Sequence, residues 1–220
     1  MTGIVACGLK QEARIVTAPG LIPVVGGGDV ALLEARLEAA VAQGGVRFIV
    51  SSGIAGGLDP TLRNGAVVLD GDADLVARMH SLLPDAALGL VIGQDQICAT
   101  ATAKAALRQG PGAVAVDMES HVARRVAARH GLPFAALRIV SDESATDLPP
   151  ATLVGMRPDG GMALGAVLRS LAGKPSQLPA LIRAGRDAGQ AFRGLGRAHD
   201  ALAGIWPRFA DDREFPLDVR

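Results

Sequence analysis

The sequence predicts a single α/β domain with a central mixed β-sheet flanked by helices. Short apolar runs alternate with amphipathic segments, a pattern typical of sheets covered on both faces. A length of 220 residues suits one domain of this kind. Hydrophobic residues make up 49% of the chain, but aromatics only 3% and tyrosine is absent. The core must therefore be built from Ala, Val, Leu and Ile.

The predicted strands are the continuous apolar runs. They cover residues 3–8, 22–25, 46–53, 65–71, 86–93, 112–116 and 133–140. The clearest predicted helix is 29–43, where Val30, Leu33 and Leu37 recur at helical spacing behind a capping Asp29. Further helices are predicted over 101–109, 118–130 and 162–172, and one or two basic helices over 178–206. The domain is expected to span residues 1–206, with a Pro- and Gly-rich loop near 150–161 and a polar tail over 207–220.

Composition excludes several classes of protein. Lys and Arg total 22, as do Asp and Glu, so no nucleic-acid partner is expected. Cys7 and Cys98 form neither a disulfide framework nor a metal cluster, and no two histidines have metal-ligand spacing. The chain lacks a run of about 18 apolar residues and a basic leader typical of a signal peptide. A soluble, cytoplasmic protein without a metal is therefore expected.

Polar residues that follow the predicted strands are the candidates for chemistry, because ligands of α/β sheets sit beyond the carboxyl ends of strands. They are Glu12, Ser51 with Ser52, Asp95, Asp117 with Glu119, and Ser141 with Asp142. Carboxylates occupy most of these places, more often than helix capping alone would require. Each acid also has a simpler, structural interpretation: a helix cap for Asp117, a first-turn acid for Glu12, and a solvated loop acid for Asp142.

Two glycine-rich stretches are candidate nucleotide-binding motifs. Gly26, Gly28 and Ala31 have dinucleotide-binding spacing, but the next strand ends in serines where an acid should hold the ribose. A tight glycine turn is favoured there. The segment 51–58, "SSGIAGGL", lacks the Lys-Ser/Thr ending of a P-loop. Its glycines would let backbone N–H groups approach a sugar or an anion.

Four motifs together carry a resemblance to a known family. "GLKQEA", "SSGIAGGL", "AVDMES" and "RIVSDES" resemble, in order and spacing, the nucleoside phosphorylase superfamily of the 5′-methylthioadenosine/S-adenosylhomocysteine nucleosidase type. The resemblance covers about residues 1–145. The whole chain looks most like the hopanoid-associated phosphorylase branch. That resemblance implies cleavage of an N-glycosidic bond and a homo-oligomer, expected to be a dimer.

The resemblance also implies roles for individual residues. Asp142 would protonate N7 of the purine, and Glu12 would position the attacking water. Glu119 resembles the ribose-hydroxyl ligand and Met118 an apolar ribose contact. Asp117 is then left as a structural cap. Ile97, with its neighbour Cys98, stands where a phenylalanine packs on the purine, and Gly56 and Ser52 complete the expected substrate site.

The nucleophile stays open between water and phosphate. Ile54 stands where the superfamily often has a serine, and no arginine precedes "SSG", where phosphorylases keep a phosphate ligand. Arg14, Arg138, Ser51 and Ser52 are the candidate substitutes. No cofactor is expected, with phosphate as a conceivable co-substrate. The sequence slightly favours hydrolysis.

The expected reaction is removal of adenine from adenosylhopane, giving ribosylhopane or its phosphate. One alternative is a methylthioadenosine or adenosylhomocysteine nucleosidase, and another is a non-catalytic nucleoside- or adenosyl-lipid-binding protein. The segment 181–206 forms a basic amphipathic helix, which either packs on the sheet or lies on an anionic membrane. An apolar exit for a lipid tail is expected to involve Leu153, Val154, Met156, Met162 and Leu164.

Overall fold

A computed structural model describes residues 2–155, 157 and 159–211 of the chain. The strands are β1 (Thr2–Cys7), β2 (Leu21–Val25), β3 (Val46–Gly57), β4 (Val67–Gly71), β5 (Ala87–Leu88), β6 (Val91–Gly93), β7 (Ala115–Asp117) and β8 (Phe134–Asp142). The helices are α1 (Lys10–Ile15), α2 (Val30–Ala42), α3 (Ala73–Leu82), α4 (Ala101–Gln109), α5 (Ser120–Arg129), α6 (Pro150–Leu153), α7 (Leu164–Gly173), α8 (Leu178–Leu202) and α9 (Trp206–Asp211). A 3₁₀ turn, Pro175–Gln177, joins α7 to α8.

The sheet is mixed, as the sequence predicts. Its order is β2-β1-β3-β8-β4-β5, with β7 pairing with the end of β3 and with β6. The β1, β2, β3 and β8 strands run parallel, whereas β4 is antiparallel to β8 and β7 is antiparallel to β3. Helices cover both faces of this sheet. The predicted fold class, a single α/β domain, is confirmed.

The end of β3 brings two distant parts of the chain together. Its first residues lie between β1 and β8, and a register shift against β8 follows between Ala55 and Gly56. Gly56 and Gly57 then pair with β7. A Cβ atom on Gly56 would lie 3.3 Å from both Asp142 Oδ2 and Val116 Cγ1. The lack of a side chain there lets the ends of β7 and β8 approach one another.

Three of the six Phe and Trp residues of the chain gather on one face of the sheet. Phe48 of β3 stacks on Trp206 at 6.1 Å between ring centroids and meets the edge of Phe209 at 5.6 Å. Leu195 and Leu202 of α8 are buried in the same cluster. Helices α2 and α5 cover the other face with aliphatic side chains, as the composition requires.

Two predicted boundaries change in the structure. The segment 178–206, predicted as one or two helices, contains α8, which ends at Leu202, and the first residue of a second helix, α9. Because Phe209 of α9 is only 1% exposed, the domain continues past residue 206 and the residues up to 211 are not a tail. Residues 212–220 lie outside the described residues. The strand predicted over 86–93 is two short strands, β5 and β6, which pair with β4 and β7 respectively.

Candidate active site

A cavity of about 350 Å³ opens where β3, β7 and β8 end. Most of the predicted site residues line it: Glu12, Gly56, Ile97, Met118, Glu119 and Asp142. They come from the first turn of α1, the end of β3, the loop before α4, the β7–α5 junction and the last residue of β8. The fold therefore brings together acids that are up to 130 positions apart in sequence, from Glu12 to Asp142, as the rule on strand ends predicts.

Ser52 is the exception among the predicted substrate-binding residues. It is fully buried, and its hydroxyl lies 2.8 Å from Nε2 of His199 on α8. It is absent from the cavity wall. Successive residues of a strand point to opposite faces, and neither Ser51 nor Ser52 is in the cavity wall. The structure thus does not bring Ser52 together with the other predicted substrate-binding residues, because its hydroxyl is bonded to a buried histidine.

Glu12 is held by the backbone around it. Its Oε2 accepts hydrogen bonds from the N–H groups of Gly8 and Leu9 at 2.9 and 2.8 Å, and its Oε1 accepts one from Ile54 at 2.9 Å. A carboxylate offers about four lone-pair positions, so about one remains for a ligand. Burial raises the pKa of Glu12 despite the opposing charge of Arg138 and these donors. Glu12 is thus both the first-turn acid of α1 and a cavity carboxyl.

Asp117 has a structural task. It accepts hydrogen bonds from the backbone N–H of Ser120 at 3.1 Å and from its hydroxyl at 2.6 Å, which caps the start of α5. It also forms a buried ion pair with Arg138. Arg138, on β8, is fully buried and donates to the hydroxyl of Ser51 at 2.5 Å. The cap interpretation of Asp117 agrees with this geometry.

Among the four carboxyls of the cavity, Glu119 accepts the fewest hydrogen bonds from the protein. Its Oε2 lies 3.5 Å from Nη2 of Arg138, longer than an ordinary charge-assisted hydrogen bond. Burial, together with the negative charges of Asp117 and Glu12, raises the pKa of Glu119 to about 8, although Arg138 acts in the opposite direction. At neutral pH a carboxyl with this pKa keeps its proton, so Glu119 can both donate and accept a hydrogen bond.

Asp142 has a partner that the sequence analysis missed. Lys104 of α4 forms an ion pair with Oδ2 of Asp142, and its ammonium also donates to the carbonyls of Glu143 at 2.9 Å and Thr146 at 3.0 Å. The hydroxyl of Ser141 donates to Oδ1 at 2.9 Å. Lys104 is fully buried. A lysine on a predicted amphipathic helix is usually solvated, so no sequence signal pointed to this contact.

We expect Lys104→Met to lower the free energy of unfolding by about 3–5 kcal/mol, because the substitution leaves Asp142 buried without its cation. Urea denaturation of the wild type and the variant measures the difference. The control is Lys104→Met combined with Asp142→Leu, which removes both charges and should recover much of the loss. A loss below about 1 kcal/mol for the single variant would contradict a buried, tightly coupled pair.

The rest of the cavity wall is apolar. Ile97, Cys98 and Val116 lie towards Asp142, and a second set of residues comes from α6, α7 and α8. This second set includes Ala151, Leu164, Val167, Leu181, Ala184 and Ala188. No Lys, Arg or His is among the described residues that line the cavity. Four acids, Glu12, Asp117, Glu119 and Asp142, thus face a space that is otherwise hydrophobic.

Metal binding finds no support in the part of the chain that the structure describes. No group of three or more His, Cys, Asp or Glu side chains there could hold a metal ion. His121 hydrogen-bonds to Asp95 at 3.0 Å and does not line the cavity. The glycines of the 26–31 segment form a turn, with positive φ at Gly27 and Gly28, as the glycine-turn interpretation requires.

Comparison with known proteins shows the fold and a partial sequence match. Residues 70–171, a little less than half of the chain, match the family model of the phosphorylase superfamily. This match agrees with the resemblance inferred from the motifs, whereas the hopanoid-associated branch stays a prediction. No curated protein matches the chain.

Solved structures of nucleosidases share the fold at low sequence identity. S-adenosylhomocysteine nucleosidase from Streptococcus pyogenes, in complex with 5-methylthiotubericidin, has a TM-score of 0.69 and 15% identity, over 93% of this chain and 97% of that chain. The 5′-methylthioadenosine/S-adenosylhomocysteine nucleosidase from Neisseria meningitidis, in complex with methylthio-immucillin-A, has a TM-score of 0.66 and 15% identity, over 92% of this chain and 99% of that chain. Futalosine hydrolase of Helicobacter pylori has a TM-score of 0.65 and 12% identity, over 92% of this chain and 97% of that chain.

Proposed function

We propose that this chain, a phosphorylase-superfamily sequence in a nucleosidase fold, removes adenine by hydrolysis from an adenosine with a large apolar 5′ group. The observation that carries the proposal is the set of Glu12, Glu119 and Asp142 in the wall of one apolar cavity. Cleavage of an N-glycosidic bond needs an acid for the leaving base, a contact on the sugar and a group that orients the nucleophile. One carboxyl is available for each task.

In the proposed reaction, Asp142 takes up a proton from solvent as the substrate binds, which turns its ion pair with Lys104 into a hydrogen bond. It gives this proton to N7 of the departing adenine while the C1′–N9 bond breaks. A water molecule attacks C1′ and passes a proton to Glu12, through the lone pair that the backbone donors leave free. A positioned acid or base of this kind contributes about 10²–10⁴-fold in rate. The oxygens of Asp142 can also accept a hydrogen bond from the 6-amino group, which favours adenine over 6-oxopurines.

Water is the favoured nucleophile for an electrostatic reason. A phosphate dianion would enter a cavity with four acids and no cation among its described lining residues. Arg138 and Ser51, two of the candidate phosphate ligands, are fully buried and bonded to one another, and Arg138 is also paired with Asp117. Desolvating an anion without a counter-charge is costly.

We therefore expect the sugar product formed in phosphate buffer to be the free 5′-substituted ribose. Mass spectrometry of the product distinguishes it from the 1-phosphate ester by the mass of the added phosphoryl group. Adenine release should also proceed at the same rate in a phosphate-free buffer. A ribose 1-phosphate ester, or a rate that depends on phosphate, would contradict hydrolysis.

The apolar side of the cavity supports a long hydrocarbon 5′ substituent such as that of adenosylhopane. Residues from α6, α7 and α8 that line it are aliphatic or glycine, apart from Thr152. A small methylthio group would leave most of that surface uncovered. The alternative substrate, 5′-methylthioadenosine or S-adenosylhomocysteine, is favoured only by the names of the structural neighbours.

A panel of 5′-substituted adenosines tests the proposal. Adenine release is followed for 5′-methylthio, S-homocysteinyl, short alkyl and long alkyl compounds. Rising kcat/KM with chain length supports the apolar substrate, and a maximum at methylthio supports the alternative. Binding of every compound without adenine release would support the non-catalytic binding protein. The expected homodimer and cytoplasmic location stay predictions.

A further inference from the structure

Exposed apolar side chains are concentrated in one segment of the chain. Of the eleven large hydrophobic residues exposed among those described, seven lie between residues 153 and 182. They form what we call the α6–α8 patch: Leu153, Val154, Met162, Leu164, Leu168, Leu178 and Ile182, which are 44% to 65% exposed. Helix α7 has no fully buried residue at all. A helix of this composition usually buries one face.

The patch is held together by a buried polar residue. The side-chain oxygen of Gln177, which is 5% exposed, accepts a hydrogen bond from the backbone N–H of Ala151 in α6 at 3.0 Å. Its amide nitrogen donates to the carbonyl of Ser170 in α7 at 2.8 Å. Gln177 itself directly precedes α8. The three helices therefore present their apolar side chains as one assembled surface.

The cavity opens at this patch. Met162 and Leu164 line the cavity, yet they are 58% and 65% exposed. Val167 and Leu181, which also line the cavity, lie on the same two helices as the exposed Leu168 and Ile182. An apolar group that fills the cavity could therefore continue out of it onto the patch.

Charge near the patch is mainly positive. Between residues 153 and 187 the described chain carries two acids, Asp159 and Asp187, and five exposed basic residues: Arg157, Arg169, Lys174, Arg183 and Arg186. Asp159 is paired with Lys10 at 2.8 Å and with Arg157 at 3.6 Å, which leaves four of the five basic residues outside this pairing. On the side of Leu153, two further acids, Asp29 and Asp95, line a neighbouring pocket. The chain as a whole has no net charge. An apolar surface rimmed by excess positive charge is complementary to the headgroups and upper acyl chains of an anionic bilayer.

Packing limits which part of the C-terminal helices can take part. In α8 the buried residues are Ala191, Gly194, Leu195, Ala198, His199 and Leu202. Leu195 and Leu202, which belong to the predicted amphipathic segment 181–206, lie in the core with Trp206. The second half of α8 therefore packs on the sheet, and only its first turns, with Leu178 and Ile182, are free for a partner. No described helix is long and apolar enough to span a membrane.

We propose that the α6–α8 patch docks on the surface of an anionic lipid bilayer and so places the mouth of the cavity against the lipid. The link to a lipid-tailed substrate rests on the proposed function, but the docking itself does not require it. A bilayer is preferred over a second copy of the chain because the basic rim would face itself across a symmetric interface. Each exposed arginine or lysine near the bilayer surface adds about 1 kcal/mol of attraction.

Vesicle flotation of the full chain tests the docking. We expect the protein to float with vesicles of phosphatidylglycerol and phosphatidylcholine, and to bind pure phosphatidylcholine at least tenfold more weakly. Leu168→Glu combined with Ile182→Glu should weaken binding to the anionic vesicles by tenfold or more. The matched control is Leu82→Glu combined with Leu88→Glu, which alters two leucines of similar exposure outside the patch. That control should bind as the wild type does.

Three outcomes would overturn the proposal. The first is no flotation of the wild type with anionic vesicles, and the second is an equal loss in the patch and control variants. The third is that the patch variant changes a wild-type dimer to a monomer in analytical ultracentrifugation without changing flotation, which would make the patch an interface between copies. Adenine release from a short 5′-alkyl adenosine, measured on every variant, reports separately on the proposed function.

Discussion

Replacing Asp142 by asparagine should lower kcat/KM for adenine release by about 10²–10⁴-fold, because the amide has no acidic proton to give to the purine. The protein should stay folded. Lys104 keeps the carbonyls of Glu143 and Thr146 as acceptors, and the side-chain oxygen of asparagine can replace one carboxylate oxygen. Adenine release by high-performance chromatography, together with a thermal melting curve, measures both expectations.

Lys104→Met is the matched control for this prediction. It disrupts the same buried pair but leaves the carboxyl of Asp142 in the cavity wall. If proton donation is the role of Asp142, the Asn variant should lose much more activity than the Met variant at comparable stability. Equal losses would mean that the ion pair orders the end of β8 and that its integrity, rather than the proton, limits the reaction. A loss within a few-fold for Asp142→Asn would refute the assignment.

The fold and the positions of the acids were accessible to sequence reasoning because both depend on local patterns. Apolar runs predict the strands, and the rule that ligands lie beyond strand ends gives a short set of polar residues that contains Glu12, Glu119 and Asp142. The resemblance of the motifs to a known family then singles out these three acids. Asn or Asp at a helix start is equally local, so Asp29 was recognised as a cap, and its side chain does accept from Leu32 at 2.9 Å.

Long-range partners could not be read from the sequence. Lys104 and Asp142 are 38 positions apart, and Ser52 and His199 are 147 apart. Periodicity indicates which face of an element is buried, but it does not identify the atom opposite a given side chain. The same limit applies to Arg138, the one polar residue within the apolar strand 134–140. Its role depends on three acids from other elements, which only the folded sheet brings within reach.

Arg138 sets the charge state of the cavity. It is the single buried cation among Glu12, Asp117 and Glu119, and its strongest contact is with Asp117. One cation cannot neutralise three carboxylates, so the two acids left over keep raised pKa values. Glu119, with a pKa of about 8, therefore keeps its proton at neutral pH and can release it when positive charge develops on the substrate.

The raised pKa of Glu119 determines the result that we expect for Glu119→Gln. Because Glu119 has a pKa of about 8, its neutral form and glutamine offer similar hydrogen bonds to a ribose hydroxyl. We therefore expect KM to change by no more than a few-fold. The ribosyl ring becomes cationic in the transition state, and a carboxyl that ionises there gains a charge-assisted contact worth about 1.5–3 kcal/mol. Glutamine cannot ionise, so kcat should fall by about 10–150-fold.

A substrate that lacks the 2′ hydroxyl separates this role from a structural one. The wild type should cleave a 2′-deoxy substrate more slowly than the ribo form, and Glu119→Gln should discriminate much less between the two, because the contact that both changes remove is the same. A double-mutant cycle over enzyme and substrate measures that coupling. Fully additive losses would show that Glu119 does not touch the hydroxyl. A rise in KM with unchanged kcat would instead mean that its contact is equally strong in the ground state, and that the proton held by the buried cluster has no part in catalysis.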